Sequence, residues 1–565
     1  MRGFVMARSL LNLARSAVVG LAIFCSVTLF EAPVANAQSL TPPRQYSISP
    51  TNVNLLDNTY AVTIEDLSVG PLKIERSYLG GRETSSHYFG GGWTHNFDLR
   101  ISSHTGGINP TVTVVIGRTK YVFWGTLSSD YPPSPQTDEY GTSLTHVGAI
   151  NIFTDRDGTV YRFAPGANSD ATITAPDGAV TTITYVEWKP KIVRSNRGYA
   201  VVFDYDSNGN VSAACGFNLA NSVVSTSTTC VAATLKASYA YTSGKLVAAT
   251  NVVGDTAHYI YGSGGLTCLT DPGTTTCKVN NAYQAGQLHI TQQTMADGSV
   301  WQYICSCSFD GKDDNADSFP DDDSGWIDPT GHETSFSYHG GVMTTYLDGN
   351  GQRYYTRFLG RYPTFVGLPE TNAVAYGYTD RMMPTTTVFQ AKSGSGLADI
   401  GTDNKVYPAS CSNVVTCNKP TSVTDANGNV TTYSYDPTHG GLLTETLPVN
   451  AAGIQAVVRH AYVQRYAWTL TSAGGYSAAG PPLWLLSEDR ICRTSATVGG
   501  GCAAGSGDEV VTTYDYGPDS GPNTLLLRGK VVTAGGVSLR TCYRYDWQGN
   551  RISETTPRAG LASCS

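Results

Sequence analysis

Short runs of alternating apolar and polar residues, separated by glycine-containing turns, recur along most of the chain. Each copy joins a strand that ends in Tyr-Asp or Tyr-x-Tyr to a turn and then to a strand rich in Val, Thr, Ile and Leu. Alternation with a period of two is typical of half-buried β-strands, so the pattern predicts hairpins. The clearest copies are residues 203–212 (FDYDSNGNVS), 423–436 (VTDANGNVTTYSYD) and 542–553 (CYRYDWQGNRIS).

The turns and the aromatic residues predict how these hairpins assemble. Asn208-Gly209 and Asn427-Gly428 fit two-residue hairpin turns, in which both residues take positive φ angles. Tyr433 and Tyr435 lie two positions apart, so we expect their rings on one face of a strand. A lone hairpin is only marginally stable in water, so the copies should stack into one continuous sheet. We therefore predict an all-β fold whose long sheet coils into a partial shell and hides its edges.

The sequence before the first clear repeat has a different pattern of residues. Residues 60–64 (YAVTI) and 72–78 (LKIERSY) resemble strands, and residues 90–98 (GGGWTHNFD) contain a Trp and a His. We interpret residues 38–190 as a β-rich N-terminal domain on which the repeats begin. Residues 191–565 are the predicted repeat region, with an acidic insertion at 310–325.

The first 37 residues have the features of a signal peptide. Arg2, Arg8 and Arg15 precede an apolar run at residues 17–30, and residues 35–37 (ANA) form a small-x-small cleavage motif. The alternative is a membrane anchor, but the run is shorter than the roughly 18 residues that a spanning helix needs. We expect an exported protein in the periplasm, at the cell surface or outside the cell, with no transmembrane segment after cleavage.

Composition agrees with a folded, strand-rich protein. Of 565 residues, 41% are hydrophobic and 15% are charged, and Gly (60) and Tyr (34) are abundant. Such a chain can bury a large core. The net charge of −8 argues against nucleic acid as a partner, because nucleic-acid-binding surfaces are basic.

The cysteines also indicate export. Of the 13, Cys25 lies in the leader, and Cys305 and Cys307 have no evident partner. The other ten fall into local pairs that bracket short loops, which predicts disulfides. Zinc is the alternative, but the pairs lack C-x₂-C spacing beside matched histidines. The predicted pairs are Cys215–Cys230, Cys268–Cys277, Cys411–Cys417, Cys492–Cys502 and Cys542–Cys564.

The recurring tyrosine-aspartate hairpins resemble the repeats of Rhs and YD-repeat proteins. That family includes bacterial polymorphic toxins, the cocoon subunits of insecticidal toxin complexes, and animal teneurins. Residues 68–78 (SVGPLKIERSY) and 91–98 (GGWTHNFD) look like the domain that opens many bacterial members. The resemblance implies a sheet that spirals into a hollow shell, which in some members encloses a C-terminal toxin and in others is thought to bind carbohydrate. Nothing after residues 545–546 resembles the self-cleaving core segment or the effector domain of the toxins.

The most acidic stretch of the chain is residues 310–325 (DGKDDNADSFPDDDSG). Asp313, Asn315 and Asp317 alternate, and Asp321 follows four positions later, a spacing that resembles the calcium loops of thrombospondin-type repeats. Hard oxygen ligands of this kind suit Ca²⁺. The alternative is a solvated acidic insertion between hairpins, so Ca²⁺ is a possible but not a required cofactor.

The sequence offers no catalytic constellation that stands out. The histidines form no HExxH motif, and no Gly-x-Ser-x-Gly nucleophile motif is evident. The leading hypothesis is therefore a non-enzymatic exported scaffold that contacts carbohydrate or envelope glycans. The second hypothesis is the N-terminal part of an Rhs-type toxin whose repeats encapsulate an effector domain absent from this chain. A secreted glycan hydrolase is the third, because Asp and Glu are plentiful enough to supply a catalytic pair, although almost all of them lie in Asp-x-x-Gly turns.

Overall fold

The chain consists of β-strands joined by short turns wherever its structure is described. The computed structural model describes residues 48–55, 57–81, 88–104, 110–127, 134–135, 140–305, 322–339, 342–360 and 362–564. The expected signal peptide, residues 1–37, lies outside this part. Two 3₁₀ turns, Ser506–Asp508 and Pro557–Ala559, are its helical elements. No helix within it is long and apolar enough to cross a membrane.

The N-terminal strands form two small antiparallel sheets, β1-β2-β3-β4 and β5-β6-β7-β8, each connected in sequence order. Their bounds are Val53–Asn54 (β1), Thr59–Val69 (β2), Leu72–Leu79 (β3), Trp93–His95 (β4), Leu99–His104 (β5), Thr111–Ile116 (β6), Thr119–Trp124 (β7) and Ser134–Pro135 (β8).

One continuous antiparallel sheet contains most of the remaining strands, each paired with the next along the chain. Two short hairpins, β36–β37 and β39–β40, project between its strands. The bounds are Ser143–Val147 (β9), Ile150–Thr154 (β10), Val160–Arg162 (β11), Asp170–Thr174 (β12), Val180–Val186 (β13), Lys189–Ser195 (β14), Tyr199–Tyr205 (β15), Val211–Asn218 (β16), Lys236–Thr242 (β17), Lys245–Thr250 (β18), Thr256–Gly262 (β19), Gly265–Thr270 (β20), Cys277–Tyr283 (β21), Ile290–Met295 (β22), Val300–Cys305 (β23), Asp322–Ile327 (β24), Glu333–His339 (β25), Val342–Leu347 (β26), Arg353–Leu359 (β27), Tyr362–Gly367 (β28), Ala373–Tyr378 (β29), Pro384–Gln390 (β30), Ile400–Val406 (β31), Ser422–Asp425 (β32), Val430–Tyr435 (β33), Leu442–Val449 (β34), Gln455–Arg465 (β35), Trp468–Leu470 (β36), Tyr476–Ala478 (β37), Leu483–Cys492 (β38), Thr497–Val498 (β39), Gly501–Cys502 (β40), Glu509–Asp515 (β41), Gly529–Ala534 (β42), Val537–Tyr545 (β43) and Arg551–Glu554 (β44).

The predicted all-β fold is confirmed, and the large sheet begins earlier than the clear repeats. It runs from β9 to β44, and residue 190, the expected end of the N-terminal domain, lies within β14. The sheet therefore continues through that position. The described residues form one compact unit.

The hairpin turns differ from the prediction in one respect. Gly209 and Gly428 have φ angles of +84° and +80°, but Asn208 and Asn427 are not among the residues with positive φ. The expectation of two consecutive positive φ angles is therefore wrong.

The aspartate at the start of each turn explains this difference. The Oδ1 atom of Asp425 accepts hydrogen bonds from the backbone N–H groups of Asn427 and Asn429, both at 2.9 Å. The Asn429 side chain adds a bond of 2.9 Å to Oδ2, and these bonds lower the pKa of Asp425. With the carboxylate closing the turn in this way, only the glycine needs the left-handed region.

A second recurring feature explains the Tyr-x-Tyr motif. The second tyrosine of many pairs follows a register shift in its strand. Its hydroxyl donates a hydrogen bond to a backbone carbonyl on or just before the neighbouring strand, which pins that end of the hairpin. In Tyr-x-Tyr motifs these donor–acceptor pairs are Tyr241–Val211, Tyr378–Pro363, Tyr435–Pro420, Tyr516–Leu486 and Tyr545–Leu527. Single tyrosines form the same bond in Tyr205–Pro190, Tyr283–Leu266 and Tyr407–Pro384.

These buried hydroxyls predict that the fold loses stability at alkaline pH. Burial raises the pKa of Tyr378, Tyr407 and Tyr516 from 10.0 to about 12. Because the folded state holds the proton more tightly than the unfolded state, this contribution is complete below pH 10 and is lost as the pH rises through 12. Urea unfolding midpoints measured across this range should fall steeply.

A pair of variants isolates the hydroxyl contribution. Tyr378→Phe should cost about 1 kcal/mol at neutral pH, the usual value of one hydrogen bond, and should reduce the alkaline loss. Tyr355→Phe, at a half-exposed ring, should leave both quantities unchanged. A flat stability profile between pH 10 and 12 would contradict the role given to these tyrosines.

The large sheet packs one of its faces against the sheet β1–β4. We call this the packed face, and it carries Tyr239, Tyr259 and Tyr303 on β17, β19 and β23. The Tyr303 hydroxyl lies 3.1 Å from the hydroxyl of Ser49, and Arg76 Nη2 donates to the Tyr259 hydroxyl at 3.0 Å. The opposite face of the large sheet is called the open face. The sheet β1–β4 and the residues just before it thus contact the strands β17, β19 and β23 of the large sheet.

The large sheet also winds back over itself. Hydrogen bonds join residues 262 to 329 positions apart in the sequence. They tie the hairpin ends of β10–β16 to those of β31–β44, and the sheet therefore coils. The bonds run from Asn418 Nδ2 to Arg156 O (2.9 Å), from Asn196 Nδ2 to Pro481 O (3.0 Å), from the Trp484 N–H to Asp177 O (2.7 Å) and from Asn218 Nδ2 to Trp547 O (2.8 Å).

Candidate functional site

The residues predicted to bind calcium cannot be placed by the structure. Asp313, Asn315, Asp317 and Asp321 all lie outside the described residues, so the calcium site stays a prediction. Cys307 also lies outside them.

Five disulfides join the cysteines that the sequence pairs. They link Cys215–Cys230, Cys268–Cys277, Cys411–Cys417, Cys492–Cys502 and Cys542–Cys564, with 6 to 22 positions between partners. Each bond closes a short loop at a hairpin, which stabilises the turn locally.

One of these disulfides lies close to an acidic side chain. Cys492, Cys502 and Asp508 are near enough to share a metal ion within the described part of the chain. The two sulfur atoms are bonded to each other, however, and Asp508 accepts hydrogen bonds from Thr494 and Ser495. These bonds stabilise the loop, and they occupy the sulfur and oxygen atoms that a metal ion would need.

A histidine, an aspartate and a tyrosine meet on β35, β38 and β41. His460 Nδ1 lies 2.6 Å from Asp489 Oδ1, and the Tyr514 hydroxyl donates to Asp489 Oδ2 at 2.6 Å. Burial, together with the nearby Asp489 carboxylate, raises the pKa of Tyr514. Both oxygens of Asp489 are thus engaged by side chains of the sheet, and the cluster links three strands.

The open face of the sheet carries a trough over β26 to β30. Its volume is about 910 Å³. One row of cross-strand partners runs across it, from Thr345 through Tyr355, Gly367 and Ala373 to Gln390. The small residues form the floor between the tyrosine ring and the glutamine amide. These two side chains lie three strands apart, roughly 14 Å at the usual strand spacing.

The floor of the trough depends on a glycine. A Cβ atom at Gly367 would lie 3.2 Å from the Phe365 ring and 3.5 Å from Cβ of Tyr355. Any larger residue would fill the trough from below. The absence of a side chain at Gly367 therefore keeps the floor of the trough open between Phe365 and Tyr355.

Polar and charged groups surround the tyrosine ring. Tyr355 is 54% exposed, and Arg353 and Arg357 are exposed on the same side of β27. The Arg357 guanidinium carbon lies 5.2 Å from the centre of the Phe365 ring. The trough therefore combines an open aromatic ring, amide groups and guanidinium groups.

A second cavity, of about 320 Å³, lies where the last hairpin meets β15 and β16. Its polar groups are largely used within the fold. Asn218 binds the carbonyl of Trp547, and Asn523 accepts from the Leu525 N–H and donates to the carbonyl of Pro518. Because these donors and acceptors are already paired, the trough is the better candidate for binding a ligand.

The sequence did not single out Tyr355, although it contains a signal for it. Tyr354 and Tyr355 are adjacent, so one ring must point to each face of β27. Tyr354 stacks on Tyr346, with ring centres 4.2 Å apart. The ring that remains on the open face is therefore Tyr355.

Comparison with known proteins identifies part of the repeat region. A family model of the RHS repeat matches residues 418–450, which include the turn that Asp425 closes. The comparison with curated proteins gave no match.

Several solved structures are similar to this chain at low identity. They include "Crystal Structure of TcdB2-TccC3 without hypervariable C-terminal region" (10% identity, TM-score 0.32, covering 90% of this chain and 28% of that one). Two others are the structures of TcdB2-TccC3-Cdc42 (10%, 0.34, 88% and 26%) and TcdB2-TccC3-TEV (10%, 0.33, 92% and 28%). This chain spans little more than a quarter of their length. The family match shows that the chain contains an RHS repeat, as the tyrosine-aspartate hairpins of its sequence predicted.

Proposed function

We propose that this RHS-repeat chain is an exported, non-enzymatic scaffold that binds carbohydrate through the trough on its open face. The observation that carries the proposal is the half-exposed Tyr355 ring beside a floor of Gly367 and Ala373. Five disulfides support an oxidising compartment, such as the periplasm or the cell exterior.

The chemistry of the trough suits a sugar. A flat aromatic ring packs well against the C–H face of a pyranose, and amide groups at the rim can exchange hydrogen bonds with hydroxyls. Gln390 and Gln352 supply such amides on either side of the ring. A concave surface with an apolar floor and a few polar groups is the usual form of a small-molecule site.

Replacing Tyr355 by alanine should abolish most glycan binding. Loss of a stacked ring is expected to cost about 1–3 kcal/mol of binding free energy, which is roughly a 5- to 150-fold increase in Kd. The measurement is a glycan array followed by calorimetry on the best ligand. Recovery of the unchanged glycan by mass spectrometry separates binding from hydrolysis.

Phe389 offers a matched control. It is 48% exposed and lies on the opposite face of β30 from Gln390, outside the trough. Phe389→Ala should bind glycans like the unmodified protein. Equal loss in both variants, or no binding to any glycan, would count against a carbohydrate site at the trough.

Enclosure of another polypeptide is a second candidate function, favoured by exposed apolar side chains on the packed face. Phe389 and Ile400 are cross-strand partners, 48% and 61% exposed. A protease-protected polypeptide that co-purifies with the protein, and is digested when Phe389 and Ile400 are replaced by aspartate, would support enclosure. On the packed face, one row of cross-strand partners runs from β27 to β31 and contains Thr356, Val366, Val374, Phe389 and Ile400.

A further inference from the structure

We infer that the trough selects acidic saccharides, whose uronate carboxylates pair with Arg353 and Arg357. This inference rests on the proposed carbohydrate binding and specifies the class of ligand.

The two arginines flank the tyrosine ring on one strand. Arg353, Tyr355 and Arg357 alternate with less exposed residues along β27, so all three point to the open face. The arginines are four positions apart, roughly 13 Å along an extended strand. A saccharide lying over the ring would therefore have a guanidinium group on each side.

Both guanidinium groups lack an acidic partner in the described part of the chain. Cross-strand pairing places Leu347 opposite Arg353 and Phe365 opposite Arg357, and neither neighbour can neutralise the charge. The Phe365 ring holds the Arg357 side chain by a cation–π contact, which leaves its N–H groups available.

Some other arginines of the same sheet do have acidic partners. Arg459 pairs with Glu509, and Arg490 pairs with both Glu488 and Glu509. In a chain with a net charge of −8, two arginines that have no acidic partner among the described residues, and that lie beside an aromatic floor, form a local site of positive charge. Charge complementarity therefore favours an anionic ligand at this position.

The geometry of the guanidinium group selects among anions. Its planar fork donates two parallel hydrogen bonds to a planar carboxylate, which is stronger than a bond to a neutral hydroxyl. A pyranose that stacks on Tyr355 would direct the carboxylate at its rim toward one of the two arginines. A uronic acid can stack on the Tyr355 ring and also pair with a guanidinium group, whereas a neutral sugar can only stack on the ring.

The test uses ligands that differ only in charge. Oligosaccharides of galacturonate, glucuronate and mannuronate are compared with their methyl esters by calorimetry on the full chain. The free acids should bind roughly tenfold more tightly than the esters. The Arg353→Gln/Arg357→Gln double variant should lose this difference and retain binding of the esters.

Two further variants show whether a change in binding comes from the two arginines of the trough, from charge elsewhere on the protein, or from the aromatic ring. Arg162→Gln removes an exposed arginine on β11, outside the trough, and should keep the preference for the acids. Tyr355→Ala should weaken acids and esters alike.

The outcomes distinguish this inference from the proposed function. If acids and esters bind equally well to the unmodified protein, the preference for acidic saccharides is overturned and carbohydrate binding stands. If neither form binds, both are overturned. Circular dichroism of each variant establishes that a lost signal reflects the site and not the fold.

Discussion

Replacing Arg76 by methionine is expected to lower the free energy of unfolding by about 3–5 kcal/mol. The side chain is fully buried and forms an ion pair with Asp66, with Nη2 and Oδ1 2.8 Å apart. The guanidinium carbon also lies 4.6 Å from the Trp93 ring centre and 5.2 Å from that of Tyr239. Removing the cation leaves the Asp66 carboxylate buried without its charge partner, which causes most of the loss.

Two comparison variants test this explanation by urea unfolding. Adding Asp66→Leu to Arg76→Met removes the buried carboxylate that has lost its partner, and it should restore part of the stability. Lys73→Met breaks the exposed pair with Glu65 in the same hairpin and should produce no measurable change. A loss below about 1 kcal/mol for Arg76→Met would be inconsistent with an essential buried pair.

Replacing Gly70 by valine is expected to release the hairpin β43–β44 from the turn that joins β2 and β3. Gly70 has a φ angle of +54°, and a Cβ atom there would lie 2.3 Å from the Tyr199 ring. Its N–H group donates to the carbonyl of Gln548 at 2.6 Å. We expect about 3 kcal/mol of destabilisation from overpacking and backbone strain together.

Limited trypsin digestion measures this release directly. Cleavage after Arg551 and Arg558 should become faster in the Gly70→Val variant, because the hairpin that contains β44 loses its anchor. Gly428→Val is the control, since Gly428 has a φ angle of +80° and nothing within 4 Å of its Cβ position. It suffers the backbone strain alone. Equal protection of the hairpin in both variants would show that the contact with Gly70 does not hold it.

The local features of the fold were predictable, because short-range chemistry determines them. The five disulfides join cysteines 6 to 22 positions apart, and the repeat turns place Gly209 and Gly428 in the left-handed region. The error at Asn208 and Asn427 came from assigning the turn to two residues. The Asp425 carboxylate shows that the aspartate is as much a part of the turn as the glycine.

The candidate site was harder to predict, because it depends on which face each residue takes. Register shifts recur before residues such as Tyr378 and Tyr435, and each shift alters the simple alternation of faces. The row that joins Tyr355 to Gln390 crosses four strands, and no spacing in the sequence reveals it. The pair of Arg76 and Tyr259 is separated by 183 positions, so only the folded sheet brings them together.

The hydrogen bonds between successive turns of the coil impose an order on folding. They span 262 to 329 positions, and closing loops of that length costs far more chain entropy than forming a hairpin. The five described disulfides close loops of at most 22 positions, so each can form soon after its own stretch of chain has been synthesised. The hairpins that carry disulfides should thus be crosslinked before the coil closes, and the contact of Gln548 with Gly70 must wait until the hairpin β43–β44 has been synthesised. Gly70 and Tyr199 therefore stay uncovered until the hairpin β43–β44 has formed.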